Sequence, residues 1–250
     1  MKLLLSPAKK LDYDSPLPDL NWSKPVFEEN ANYLAEKLNK SSAKKISSMM
    51  HLSEALTQLN VQRYAEWKNA AQRPAALAFN GDVYTGLDAY NWSKKELEHS
   101  QSVIRILSGI YGILKPLDLI KPYRLEMGSK WAVTPTKSNL YKYWGKTIAT
   151  QLEKEMEDNE PIVNLASAEY NKVILKQLSK GRKVVTVEFK DFKNGELKMI
   201  QIFVKRARGM MAKYIAKENI TEIKDLIKFN EDGYVFDANL SSESKMVFTR

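Results

Sequence analysis

The chain has 250 residues, 44% of them hydrophobic, with 39 Lys and Arg against 30 Asp and Glu, a formal net charge of +9. That length suits one large domain or two lobes, and the apolar content is enough for a core. The absence of cysteine excludes disulfides, thiolate metal sites and thiol-based peroxide sensing by this chain, and only two histidines, His51 and His99, are available for a zinc site.

Taken in order, Lys2–Leu5 reads as a short buried strand ending in Ser6-Pro7-Ala8-Lys9-Lys10. That apolar run is far too short for a signal peptide or a membrane span, so a cytoplasmic location is the default expectation. Pro16, Pro18 and Pro25 make residues 12–25 an ordered loop or arm. Helices are predicted over residues 26–38, 43–50 and 53–71, the last with Leu52, Leu56, Leu59, Tyr64 and Trp67 as its apolar stripe. Pro74 stops it, and residues 75–79 read as a buried strand leading into Asn80-Gly81-Asp82-Val83-Tyr84. Ser93 with Glu96 starts a short helix over residues 93–99 through a capping box.

The apolar run at residues 103–107 ends abruptly in Ser108-Gly109-Ile110-Tyr111-Gly112. Pro116 and Pro122, each preceded by lysine, bias the segment up to Gly128 towards a stiff extended loop. Stiff loops that carry Tyr, Asp, Arg and Glu are where function tends to sit. A long helix is predicted over residues 139–158, where Leu140, Trp144, Ile148, Leu152 and Met156 recur every four residues. Residues 162–166 read as a strand and 167–178 as a helix closed by Gly181. Residues 183–192 and 197–205 read as strands joined through Asn194-Gly195, a strong hairpin signal. Helices over 208–217 and 221–229 follow, and Lys245–Thr249 reads as a last edge strand. No repeat or long linker divides the chain, so residues 1–250 are expected to form a single compact α/β unit with a mixed sheet flanked by helices.

Several of these strands end in polar clusters. Ligands of mixed α/β sheets sit beyond the carboxyl ends of strands, so the clusters are expected to share one crevice. Lys9, Arg124 and Arg208 would line it with Asp82, Glu126 and Glu169. Such a mixture suits acid–base work, with the three acids as catalytic candidates, and equally suits an ion-pair network that only fixes loops. Each motif has an alternative. Asp82 could bond nearby amides in a turn, Arg124 and Glu126 could pair in an ion pair, and Ser167 could cap the helix that carries Glu169. Arg206 and Arg208 flank a predicted helix N-terminus, which suits a phosphate or a solvated face. No Walker loop, Gly-x-Gly-x-x-Gly, Ser-His-Asp arrangement or zinc pattern occurs, and neither a cofactor nor a metal is expected.

The positive excess is local. Residues 171–218 hold 13 Lys and Arg against 4 Asp and Glu, which leaves 26 of each sign elsewhere. Concentrated basic charge fits a polyanion, with Lys172, Lys176, Arg182, Lys183, Lys205, Arg206, Arg208 and Lys213 as phosphate contacts. A basic face that serves solubility is the other reading.

Five pieces in order carry a resemblance: Ser6-Pro7-Ala8-Lys9, residues 79–87, residues 107–128, residues 164–170, and Ala207-Arg208-Gly209 with Ala212. Over nearly its whole length the chain resembles the YaaA family of bacterial peroxide stress resistance proteins. The resemblance implies binding to duplex or structured DNA and a part in limiting damage where free iron meets peroxide. It also implies an unusual mixed α/β fold with a helix-hairpin-helix-like element. Gly109-Ile110-Tyr111-Gly112 is similar to such a clamp, which makes Gly109, Tyr111 and Gly112 phosphate-contact candidates beside Lys9 and Arg124. Its glycines are three apart rather than two, and Pro116 falls near the start of the second helix that the clamp would need. The leading expectation is a cytoplasmic DNA-binding protein of the peroxide response, with the question of enzymatic activity left open. The alternative is an enzyme acting on a nucleobase or nucleotide, with Tyr84, Tyr111 or Tyr170 stacking the base.

Overall fold

Eight strands form the main sheet of the computed structural model, which describes residues 1–250 throughout. They are β1 (Lys2–Leu5), β2 (Ile104–Ser108), β3 (Gly112–Leu114), β4 (Ile162–Asn164), β5 (Val184–Lys193), β6 (Glu196–Lys198), β7 (Val235–Phe236) and β8 (Lys245–Thr249). The order across the sheet is β7-β8-β5-β4-β1-β2-β3, with β6 beside β5. Neighbours from β8 through to β2 run parallel, whereas β7, β3 and β6 pair antiparallel with β8, β2 and β5. β1, Lys-Leu-Leu-Leu, is buried along its length, as a central parallel strand covered on both faces must be. The chain leaves β1 for β2 on one side and later returns to β4 on the other. The direction of winding therefore reverses at β1, and crevices form at the carboxyl ends of strands at such a point.

Ten helices accompany the sheet: α1 (Glu28–Asn39), α2 (Ala43–Met50), α3 (Glu54–Ala65), α4 (Ala75–Ala78), α5 (Asp82–Leu87), α6 (Lys94–Val103), α7 (Leu140–Trp144), α8 (Thr147–Lys154), α9 (Ala168–Asn171) and α10 (Gln201–Lys217). In α1 the buried residues Ala31, Leu34, Ala35 and Leu38 fall at helical spacing. Ser42, Ser53 and Asn139 each accept a backbone N–H of the helix they start, and Ser93 with Glu96 forms the full capping box of α6. No helix is long and apolar enough to cross a membrane.

The chain departs from the sequence reading at identifiable places. Residues 75–78 turn helically as α4 because small alanines permit it, and only Phe79–Asn80 is extended, paired with Lys10–Leu11. The long helix over 139–158 breaks into α7 and α8 at Gly145, whose φ of +50° takes the chain out of the helix. The helix over 53–71 ends at Ala65, and the one over 167–178 shrinks to α9 and a short 3-10 turn. The Asn194-Gly195 turn has both residues at positive φ and joins β5 to β6, but β6 is only three residues long. The rest of the predicted second strand is the start of α10, where Val204, Ala207, Met211 and Ile215 are buried at helical spacing. β8 is internal rather than an edge, with β5 on one side and β7 on the other. Gly109-Ile110-Tyr111-Gly112 joins antiparallel β2 and β3, so no pair of helices flanks it and no helix-hairpin-helix element exists there.

Two buried contacts fix the frame. Arg105 on β2, only 3% exposed, donates from Nε to Glu155 Oε2 at 2.7 Å and from a guanidinium nitrogen to the Gln101 and Ile104 carbonyls. Burial alone would raise the Glu155 carboxyl, but the Gln151 hydrogen bond and the Arg105 charge outweigh it and hold the group below its usual range. The second contact is a crossing of α5 and α10 with no side chain between the backbones. A methyl group on Gly209 would stand 1.8 Å from the Val83 carbonyl oxygen, and one on Gly86 would stand 2.1 Å from the Arg206 carbonyl oxygen. Gly209→Ala should therefore push the helices apart and cost about 3 kcal/mol or more in thermal unfolding. Gly195→Ala, with nothing within 4 Å of the added methyl but φ at +82°, should cost only about 1 kcal/mol. Equal losses at the two positions would show that the crossing is not tight.

Candidate functional site

Beyond the carboxyl ends of β1 and β4 lies a crevice of about 480 Å³. Five stretches of chain build it: residues 6–10, 80–83, 123–126, 167–170, and one face of α10. The helical repeat puts Gln201, Lys205 and Arg208 on that face, one per turn. The α5–α10 crossing sets how far this face stands from Asp82 at the start of α5.

Hydrogen bonds between the stretches hold the walls. Ser6 Oγ accepts the Ser167 N–H at 2.9 Å, and the Tyr84 hydroxyl donates to the Ser6 carbonyl at 3.1 Å. Tyr64 donates to the Arg124 carbonyl at 2.7 Å, and the Gly128 N–H donates to Glu169 Oε1 at 2.8 Å. A methyl group on Gly109 would meet the Leu125 carbonyl oxygen at 2.2 Å, so the β2–β3 turn backs directly onto the 123–126 wall. Burial pushes the Tyr84, Tyr123 and Tyr170 phenols up, so each is a neutral group at physiological pH.

All six charged residues expected in the crevice line it: Lys9, Arg124, Arg208, Asp82, Glu126 and Glu169. Glu126 Oε1 accepts from Arg124 Nε at 3.0 Å and pairs with Lys9 Nζ at 3.3 Å, which binds the 6–10 stretch to the 123–126 stretch. Arg124 and Glu126 thus face the crevice and also pair with each other. Ser167 makes no side-chain cap for α9; its amide is spent on Ser6 instead. The turn at Asp82 is closed by backbone bonds from Tyr84 and Thr85 to the Gly81 carbonyl, and Asp82 keeps its place in the lining. Burial pulls Arg208 below the usual guanidinium range, with Glu188 opposing that shift. Arg208 Nε is buried and finds no protein acceptor, and Glu126 Oε2 is buried and finds no protein donor.

The other phosphate-contact candidates scatter. Gly109, Tyr111 and Gly112 are buried, Tyr111 at 2% exposure, and cannot touch a phosphate. Arg206 is exposed on α10 but off the crevice face, and neither it nor Arg208 flanks the helix start, which lies at Gln201. Lys213 pairs with Glu231 at 3.8 Å, and Lys172 lies over the Tyr141 ring at 5.1 Å. Lys176 sits in the 3-10 turn after α9. Arg182 donates to the Glu157 and Asp158 carbonyls, and Lys183 precedes β5, so both stand at the amino ends of the parallel strands, opposite the crevice. Of the tyrosines proposed for stacking, Tyr170 lines the crevice, while Tyr84 and Tyr111 pack into aromatic neighbours. Lys10, Tyr123 and Gln201 also line it. Gln201 was hidden because the apolar residues around it, Met199, Ile200, Ile202, Phe203 and Val204, pass for a strand. No group of three His, Asp or Glu side chains converges as metal ligands do.

A family model described as peroxide stress protein YaaA matches residues 1–240. A UPF0246 protein of Bordetella avium is 48% identical over all of this chain and 99% of its own length. UPF0246 proteins of Flavobacterium johnsoniae and Saccharophagus degradans are 45% and 43% identical, covering all of this chain and 100% and 99% of their own lengths.

The Ser6 hydroxyl joins two crevice walls. Ser6→Ala should leave the Ser167 amide without its acceptor, at about 1 kcal/mol and a fall in Tm of about 2–4 °C. An unchanged Tm would mean that the walls are held by other contacts.

Proposed function

The chain belongs to the peroxide stress protein YaaA family, and from that premise we propose that it serves the response to peroxide by binding DNA at the crevice mouth. The observation that carries this reading is the convergence of Lys9, Lys10, Arg124, Lys205 and Arg208 on one concave site at the strand ends. Phosphates are the natural partners of such a set, because lysine and arginine that neutralise phosphates release condensed counterions. Ferrous iron is a cation of the kind that condenses on DNA. A bound segment therefore holds less of it, and radicals formed from peroxide arise farther from the strand. This is how binding would limit iron-driven damage.

Binding suits the geometry better than catalysis. Two of the three candidate acids are engaged in building the site, Glu126 in its ion pairs and Glu169 in holding the Gly128 amide. Phosphate contacts position a protein without reading bases, so weak sequence preference is expected.

The test is fluorescence anisotropy with labelled DNA across a salt series. Lys9→Ala with Lys205→Ala should weaken binding and lower the steepness of log K against log salt by about 1 for each phosphate that is no longer neutralised. Arg182→Ala with Lys183→Ala, at the opposite end of the sheet, should leave both nearly unchanged. The reverse pattern would move the interface to that end, and no binding at low salt would overturn the proposal.

A further inference from the structure

We infer that the crevice is a pocket for a single unpaired nucleotide, its phosphate on Arg208 and a base carrying an exocyclic amino group on Glu126. The inference rests on the reading that the crevice engages nucleic acid, and it names what enters.

Size comes first. A space of about 480 Å³ is within the usual range for small-molecule pockets, roughly 300–1,000 Å³, and far too small for a duplex to enter. A strand reaches its floor only through one nucleotide turned out of the stack, or at an unpaired end.

The unpaired polar atoms say what that nucleotide must offer. Five buried side-chain polar atoms in the protein lack a hydrogen-bond partner, and two of them belong to residues lining this crevice: Arg208 Nε and Glu126 Oε2. Buried polar groups are nearly always paired, so an unpaired donor and acceptor in one pocket mark where a ligand's acceptor and donor belong. Arg208 is half-buried, and burial, opposed by the Glu188 charge, weakens its hold on its proton. An anion beside it removes that penalty, and a guanidinium matches phosphate geometry. Lys205 is one turn away on the same face of α10 and adds charge at the mouth.

Glu126 asks for the opposite. Its Oε1 already holds Arg124 and Lys9, so one lone oxygen remains to accept. A carboxylate oxygen takes an N–H donor, and the exocyclic amino groups of adenine, cytosine and guanine supply one. Thymine has no such group; its one donor is the ring N3–H, set between two carbonyl oxygens that repel a carboxylate. Leu125, Val83 and the buried Tyr170 line the same crevice and offer apolar surface suited to a base plane.

Isothermal titration of the full chain with dAMP, dCMP, dTMP and inorganic phosphate tests this. The amino-bearing nucleotides should bind about tenfold more tightly than dTMP, as one hydrogen bond to a charged group allows, and phosphate alone should bind more weakly than either. Arg208→Gln should weaken all four ligands, and Glu126→Met should level dAMP with dTMP while raising rather than lowering phosphate affinity, because it frees Arg124 and Lys9 from their partner. Thermal unfolding checks that each variant is folded, and the wild-type ranking stands as a readout even if one is not. Equal affinity for dAMP, dTMP and phosphate, or no nucleotide binding at about 10 mM, would overturn the inference. Duplex binding with a steep salt slope but no nucleotide binding would remove the pocket and keep the phosphate surface. Nucleotide binding without DNA binding would do the opposite.

Discussion

Everything at the crevice depends on two backbones touching. At Gly86 and Gly209 the α5 and α10 helices approach so closely that no side chain, not even a methyl, fits between them. Small residues at a crossing let helices approach more closely than bulkier interfaces allow. The consequence is functional geometry. Asp82 opens α5 beside Val83 and Arg208 precedes Gly209, so the contact that joins the helices also brings an acidic and a basic residue into one crevice lining. Gly109 does likewise for the other wall, where its missing side chain lets the β2–β3 turn lie on the Leu125 carbonyl. The stretch that resembled a DNA clamp is therefore a support behind the site. Its glycines serve packing against Leu125 and Trp144 rather than contact with phosphate.

The electrostatics follow from the topology. The sequence concentrates its positive excess in residues 171–218, but that segment runs the length of the sheet. Arg182 and Lys183 enter β5 at one end, and Lys205 and Arg208 return to the other. What gathers at the crevice is a different set, which takes Lys9 and Lys10 from the stretch after β1 and Arg124 from the stretch after β3. Charge adjacent in sequence is spread in space, and charge distant in sequence converges. Glu126 keeps this convergence from being purely repulsive, because one carboxylate oxygen sits between Arg124 and Lys9.

Much of the fold was legible from local signals. The continuous apolar run of β1, the capping box at Ser93 and the Asn-Gly turn all act within a few residues, and each appears where the sequence puts it. The crevice residues were legible for a second reason: polar clusters after apolar runs mark strand ends, and strand ends share an edge of a parallel sheet. What was illegible depended on neighbours far away in sequence. Residues 75–78 look like a strand until Asp118 and Pro116 carbonyls take the Ala75 and Ala76 amides. Ile202-Phe203-Val204 reads as the apolar run of a strand, yet residues 201–205 fold as helix because Val204 shares a buried face with Ala207, Met211 and Ile215. Without that helical start, the spacing of Gln201, Lys205 and Arg208 stays hidden.

The proposed DNA-binding surface is the strand-end crevice and not the basic segment as such. Hydrogen–deuterium exchange of the chain with and without a short DNA carrying one unpaired nucleotide tests it most directly. Exchange should slow at residues 6–10, 80–84, 124–128, 167–170 and 201–208 together, with residues 180–184 unchanged. Protection confined to 180–184, or spread evenly over 171–218 with the 6–10 and 124–128 loops unaffected, would contradict it.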